Sequence, residues 1–142
     1  MAITSAVCSS FKQQVLVGTH NLTASSGNSF KLALYTSSAT LGAATTAFTT
    51  TGQASGTNYT SGGNALTNIT PVLSGTTAVV DFADLTFGTA TVEARGCMIY
   101  NDTNADKSVC VIDFGADKTS TAGDFTVVFP SPTATGAIIR LA

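Results

Sequence analysis

Hydrophobic and polar residues alternate in short runs along most of this chain, the period of strands with one buried face. Phe30-Lys31-Leu32-Ala33-Leu34-Tyr35 sets Phe, Leu and Leu on one face against Lys, Ala and Tyr on the other. A weaker run over 66–73 is interrupted by Pro71, which suits an edge strand or a bulge. Ser74-Gly75 is then a turn short enough for a hairpin into a strand over 76–82. Further strands are predicted over 89–100, 109–114, 125–129 and 137–141, with 101–107 as a hairpin tip between two of them.

Only Ser9 to Gly18 has a helical signature. Ser9 or Ser10 can cap its start, Phe11 and Val15 share a face, and Gly18 can stop it. Two turns cannot stand alone, so this helix is expected to pack on a sheet or on a neighbouring subunit. Seven or eight short strands and one short helix predict an all-β protein. The expected architecture is an antiparallel β-sandwich, jelly-roll-like, in a single domain over residues 1–142. Residues 1–29 read as an N-terminal arm carrying the helix. Residues 36–63 read as a long ordered loop, an excursion with little strand periodicity. Its Leu41, Phe48 and Tyr59 are spaced as anchors that could pin it to the sheet.

Composition narrows the function. The 142 residues include 25 Thr, 14 Ser and 13 Gly, while charged residues are only 10%. The surface is therefore kept wet by hydroxyls rather than by charge. Six basic residues and a net charge of −2 cannot supply the stripe that phosphate binding requires, so no direct nucleic-acid contact is expected. No apolar run approaches the ~20 residues of a membrane span, and none is expected. The first eight residues lack the basic and apolar regions of a signal peptide.

Candidate chemistry is sparse. Triad-type catalysis would have to run through His20, the only histidine, and no G-x-S-x-G elbow surrounds a serine. Asp102-Thr-Asn104-Ala-Asp106 has D-x-N-x-D calcium-loop spacing, but Lys107 stands where the loop needs Gly and the flanks read as strands. Asn21, Asn58, Asn68 and Asn101 begin glycosylation sequons, a weak excess in so Thr-rich a sequence. Cys97 and Cys110 flank the tip symmetrically and could face each other, although a one-residue slip would part them. Three cysteines without a C-x-x-C suggest reduced, buried thiols. Nothing selects a carboxylate pair, so no enzyme activity, cofactor or metal is expected.

Several stretches, taken in order, resemble small structural virion proteins of tailed bacteriophages. They are Phe11-Lys12 with His20, Phe30 to Ser37, Ala39 to Leu41, Ser55 to Gly63, Ala94 to Asn101 and Val109 to Gly115. The resemblance implies a capsid cement, or decoration, protein on the capsid exterior, made in the bacterial cytoplasm. Its partner would be the major capsid protein, and it would form a homo-oligomer, a dimer or trimer. It implies no catalytic residues, and it places small or aliphatic residues where Cys97 and Cys110 stand. The alternative is a tail-fibre or other tail-associated receptor-binding module. Phe11, Val15, His20, Leu41, Phe48 and Tyr59 are the expected capsid or subunit contacts, because the helix region and the excursion look poorly suited to forming a core unaided.

Overall fold

The computed structural model describes residues 2–142, almost all of the alternating pattern being strand. In chain order the elements are β1 (Ala6–Val7), α1 (Ser9–Leu16), β2 (Phe30–Tyr35), β3 (Gly56–Thr57) and β4 (Asn64–Ala65). There follow β5 (Asn68–Ser74), β6 (Thr77–Phe82), β7 (Leu85–Asn101), β8 (Lys107–Val127) and β9 (Ile139–Leu141). A six-stranded sheet runs β1-β8-β7-β2-β4, with β3 pairing on β7 beyond the end of β2. A three-stranded sheet runs β5-β6-β9. Every strand pairing is antiparallel, and the fold is all-β and sandwich-like.

The β7–β8 hairpin is the frame. Residues 102–106 make its tip, where Ala105 and Asp106 take left-handed φ values of 56° and 55°. Pairing continues to Leu85↔Val127, so the strands expected over 109–114 and 125–129 are one strand of 21 residues. Sequence periodicity misses the join because residues 115–119 are all exposed. With no buried face there is nothing to alternate, and it is pairing with β7 that keeps the backbone extended. The register shifts between Ala94 and Gly96 on β7, where four β8 residues oppose Arg95 alone.

The sandwich closes because the two faces of β2 have different covers. Directly opposed residues share a face. On the inner face, Phe30, Leu32 and Leu34 join Cys97, Ile99 and Cys110, and the Phe30 ring meets Phe82 of β6 at 5.9 Å. The Phe82 ring in turn meets Phe129 at 5.7 Å. On the outer face, Ala33 and Tyr35 are also fully buried, beside Met98 and Tyr100. Their cover is the 36–63 excursion. Phe48 stacks on Tyr100 with centroids 4.8 Å apart, and the Tyr35 hydroxyl donates to the Thr49 carbonyl at 2.6 Å. Ile3 joins this layer through a bridge to Leu41 and fills the space above Gly96.

Turn chemistry follows the sequence, with one difference. Pro71 lies in an irregularity of the edge strand β5, between Ile69 and Val72. Gly75, at φ +64°, turns β5 into β6. Helix α1 ends at Leu16, with Gly18 at φ +80° just beyond. Its N-cap is Cys8 rather than a serine, and no side chain caps it. Ser9 and Ser10 are instead its first helical residues, and the buried Ser10 hydroxyl has no partner among the described residues. Burial of Phe11 holds the helix in the absence of a cap.

Candidate functional site

His20 sits between α1 and the tip of the β7–β8 hairpin, 6% exposed, with the Phe11 ring 4.8 Å away. Asn101 at the end of β7 organises this junction. Its side-chain oxygen accepts the backbone N–H groups of Thr103 and Asn104, both at 3.1 Å, as an Asx turn does. Its amide nitrogen therefore faces His20 and donates to Nδ1 at 3.0 Å. Nδ1 must then be an acceptor, so Nε2 carries the proton and donates to Gln14 Oε1 at 2.9 Å. Burial first, and the Lys107 charge second, lower the His20 pKa from 6.5 to about 4. The imidazole is held neutral with both nitrogens engaged. It fastens helix to hairpin, and no serine or cysteine nucleophile is among its hydrogen-bond partners.

The same network takes apart the calcium-like spacing. Asn104 turns its amide to the Thr19 carbonyl and to Asn28, while Asp102 pairs with Lys31 at 3.6 Å. The loop's oxygens do not converge. Among the described residues, no group of three or more His, Cys, Asp or Glu side chains is placed to hold a metal. Asn101 is fully buried, so its sequon has no access to a modifying enzyme.

All three cysteines are buried free thiols. Cys97 lies opposite Ile112 and Cys110 opposite Ile99, because the tip already pairs Asn101 with Lys107, one residue off the symmetric register, and the register shifts by one more between Ile99 and Tyr100. The two cysteines thus share the inner face diagonally rather than facing each other. Burial raises the pKa of Cys8, of Cys97 well above the usual thiol value, and of Cys110 to about 12. None is a thiolate at neutral pH.

The six expected contact residues are spent within the chain. Phe11, His20, Leu41 and Tyr59 belong to its own core or lie buried against it, and Val15 and Phe48 pack partly buried on that core. Tyr59 reaches furthest. Its hydroxyl accepts the Leu34 N–H at 2.9 Å and donates to Gln53 Oε1 at 3.1 Å, while its ring packs on Phe87. Anchoring the excursion to the sheet is what Leu41, Phe48 and Tyr59 do. The view that helix and excursion cannot make a core unaided is corrected by this placement, since the excursion is the missing cover of the six-stranded sheet.

What the surface does offer lies elsewhere. Leu73 and Leu141 flank Ala78 in one cross-strand row of the small sheet, 71% and 62% exposed. Ala78 and Leu141 of this row line an apolar groove between that sheet and α1, with Phe11, Val15, Pro71, Val80 and Ile139. A second groove runs under the distal half of β8, with Phe114, Phe125 and Phe129 among its walls. Sequence reasoning names Phe11 and Val15 as contact residues but not the groove they line, and it misses the second groove, whose Phe114, Phe125 and Phe129 it assigns to strands. Among the described residues, no helix is long and apolar enough to cross a membrane. No family model matches the chain, and no curated protein or solved structure matches it.

Proposed function

We propose that this protein is a structural component of a tailed-phage virion, a capsid cement protein that binds the outer capsid lattice as a homo-oligomer and performs no catalysis. The supporting observation is where its chemistry sits. The histidine is buried, neutral and engaged in fastening helix to hairpin, and the thiols are buried and protonated. What remains on the outside is hydroxyl-rich surface and two apolar grooves, the makings of a binding module. Uncharged contacts of this kind hold when ionic strength changes, because there is little charge to screen.

The reading is tested on particles. A protein that binds only the assembled lattice stabilises it by mass action, by ~3 kcal/mol per site at a hundredfold excess over Kd. Particles carrying the protein should release DNA at a higher temperature than particles stripped of it, and antibody or gold labelling should mark the head. Equal release temperatures with label on the tail would replace cement by a tail-associated receptor-binding module.

A further inference from the structure

Helix α1 has very little holding it to the rest of the molecule. Among the described residues, the only side-chain hydrogen bond made from 9–17 is that of Gln14 with His20 Nε2. Ser10 is left without a partner, and Lys12 forms no ion pair. No side chain caps the helix, and Phe11 is its one buried residue. Two turns with so little support persist only while something fastens them. His20 is that fastening. Its Nε2 holds α1 through Gln14, its Nδ1 holds the hairpin tip through Asn101, and the Phe11 ring lies against it. Between helix and histidine, Gly18 has φ +80° and open space around it, a place where the chain is free to turn.

The fastening suits one protonation state only. Asn101 cannot turn its oxygen to Nδ1, because that oxygen holds the turn and the amide also donates to Asn28 Oδ1 at 3.0 Å. An imidazolium meets a donor where it needs an acceptor. The charges on the elements packed around the ring do not compensate. Lys107 acts on the ring and repels an imidazolium. Asp102 is paired with Lys31, and neither Lys12 nor Asp106 hydrogen-bonds the ring. Asp81 and Arg140 stand on the far face of the small sheet, opposite Ile69 and Val79. We propose that His20 is an acid-operated latch, in which a proton from solvent on Nδ1 unfastens α1 from the hairpin tip while both sheets stay folded. Release carries Phe11 and Val15 away from the groove they line with Val80 and Ile139, and so uncovers the inner face of the small sheet.

The latch goes beyond the proposed function and does not depend on which particle the protein binds. Hydrogen exchange of the full chain at pH 7 and pH 4.5, corrected for the intrinsic effect of pH on exchange, tests it. With a pKa of about 4 when latched and 6.5 when free, His20 should make opening of 9–20 roughly fifty-fold more frequent at the lower pH. The latch also requires α1 to open alone. At pH 4.5 its amides should therefore be at least about tenfold less protected than those of 97–100. His20→Gln cannot take up the proton and should open to nearly the same extent at both pH values, however well it holds α1. Gln14→Glu gives Nε2 a carboxylate, which favours the charged ring in the latched state and should cut the rise severalfold. Three results would overturn the proposal: a rise in the wild type no larger than in His20→Gln, an undiminished rise in Gln14→Glu, or opening of 9–20 only when 97–100 open as well. None of these results bears on the DNA-release test, so the two readings fail separately.

Discussion

Asn101 decides the state of His20. With its oxygen committed to the Asx turn, a proton on Nδ1 would set two donors against each other across 3.0 Å. The sign of the pH dependence follows. Folded His20 has a pKa of about 4, below its unfolded value of 6.5, so the unfolded chain binds the extra proton first as pH falls. The stabilisation is complete above pH 6.5, declines between 6.5 and 4, and is gone below 4. Its full extent is about 3 kcal/mol. Urea midpoints measured at pH 7 and pH 4.5 should differ by more in the wild type than in His20→Gln. An equal pH dependence in both would place the proton elsewhere.

Tyr59 gives a second residue-scale expectation. Tyr59→Phe keeps the ring on Phe87 but leaves the buried Leu34 N–H without an acceptor, at a cost of about 1–3 kcal/mol. Tyr59→Ser also removes the ring and should cost about 4 kcal/mol, close to what an aromatic deletion in a core costs. Thermal unfolding distinguishes the two. If Tyr59→Ser were as stable as wild type, the excursion would not be part of the core.

At the scale of elements, two glycines allow the excursion to lie against the sheet. A Cβ on Gly56 would run into the Thr91 carbonyl of β7, and one on Gly63 into the Leu32 carbonyl of β2. Gly63 also has φ +76°. Gly75 has a similar φ, +64°, with open space around it. Gly75→Ala should therefore cost only about 1 kcal/mol, from conformation alone. Gly63→Ala should cost at least about 2–3 kcal/mol, since the backbone must also give way. Differential scanning calorimetry of the pair separates strain from collision.

The same elements show what the sequence could reveal. β2, β6 and the apolar parts of β7 and β8 were legible because each packs a buried face against a neighbour, and burial writes a period into the residues. Gly115 to Asp124 was not legible, because its extended state comes from a long partner and not from its own side chains. The excursion was legible as ordered, through Leu41, Phe48 and Tyr59, but its role was read backwards. Small hydroxyl residues and glycine look unfit for a core only if a core needs large side chains. Here the sheet provides the bulk, and the loop needs only to lie close. His20 was legible as lacking a catalytic serine, since no G-x-S-x-G elbow exists, but it was read as a contact residue, and its partners Gln14 and Asn101 carried no signal of their own.

At the scale of the whole molecule, the β7–β8 hairpin determines the order in which the chain can fold. Its strands are joined by a short tip, so their pairing closes little loop and should come early. β2 has nowhere to sit until Gly96 to Asn101 exists, and β1 waits for Cys110 and Val111, about a hundred residues downstream. During synthesis the first 84 residues therefore leave the ribosome holding an apolar strand, Phe30 to Tyr35, whose main partner has not been made. A fragment of residues 1–84 should show no cooperative unfolding transition, and substitutions in the hairpin should slow refolding more than those in β1 or β9. The last half of the message thus governs when the first half becomes protein-like, and a ribosome paused before residue 85 would expose a segment that needs a chaperone's protection.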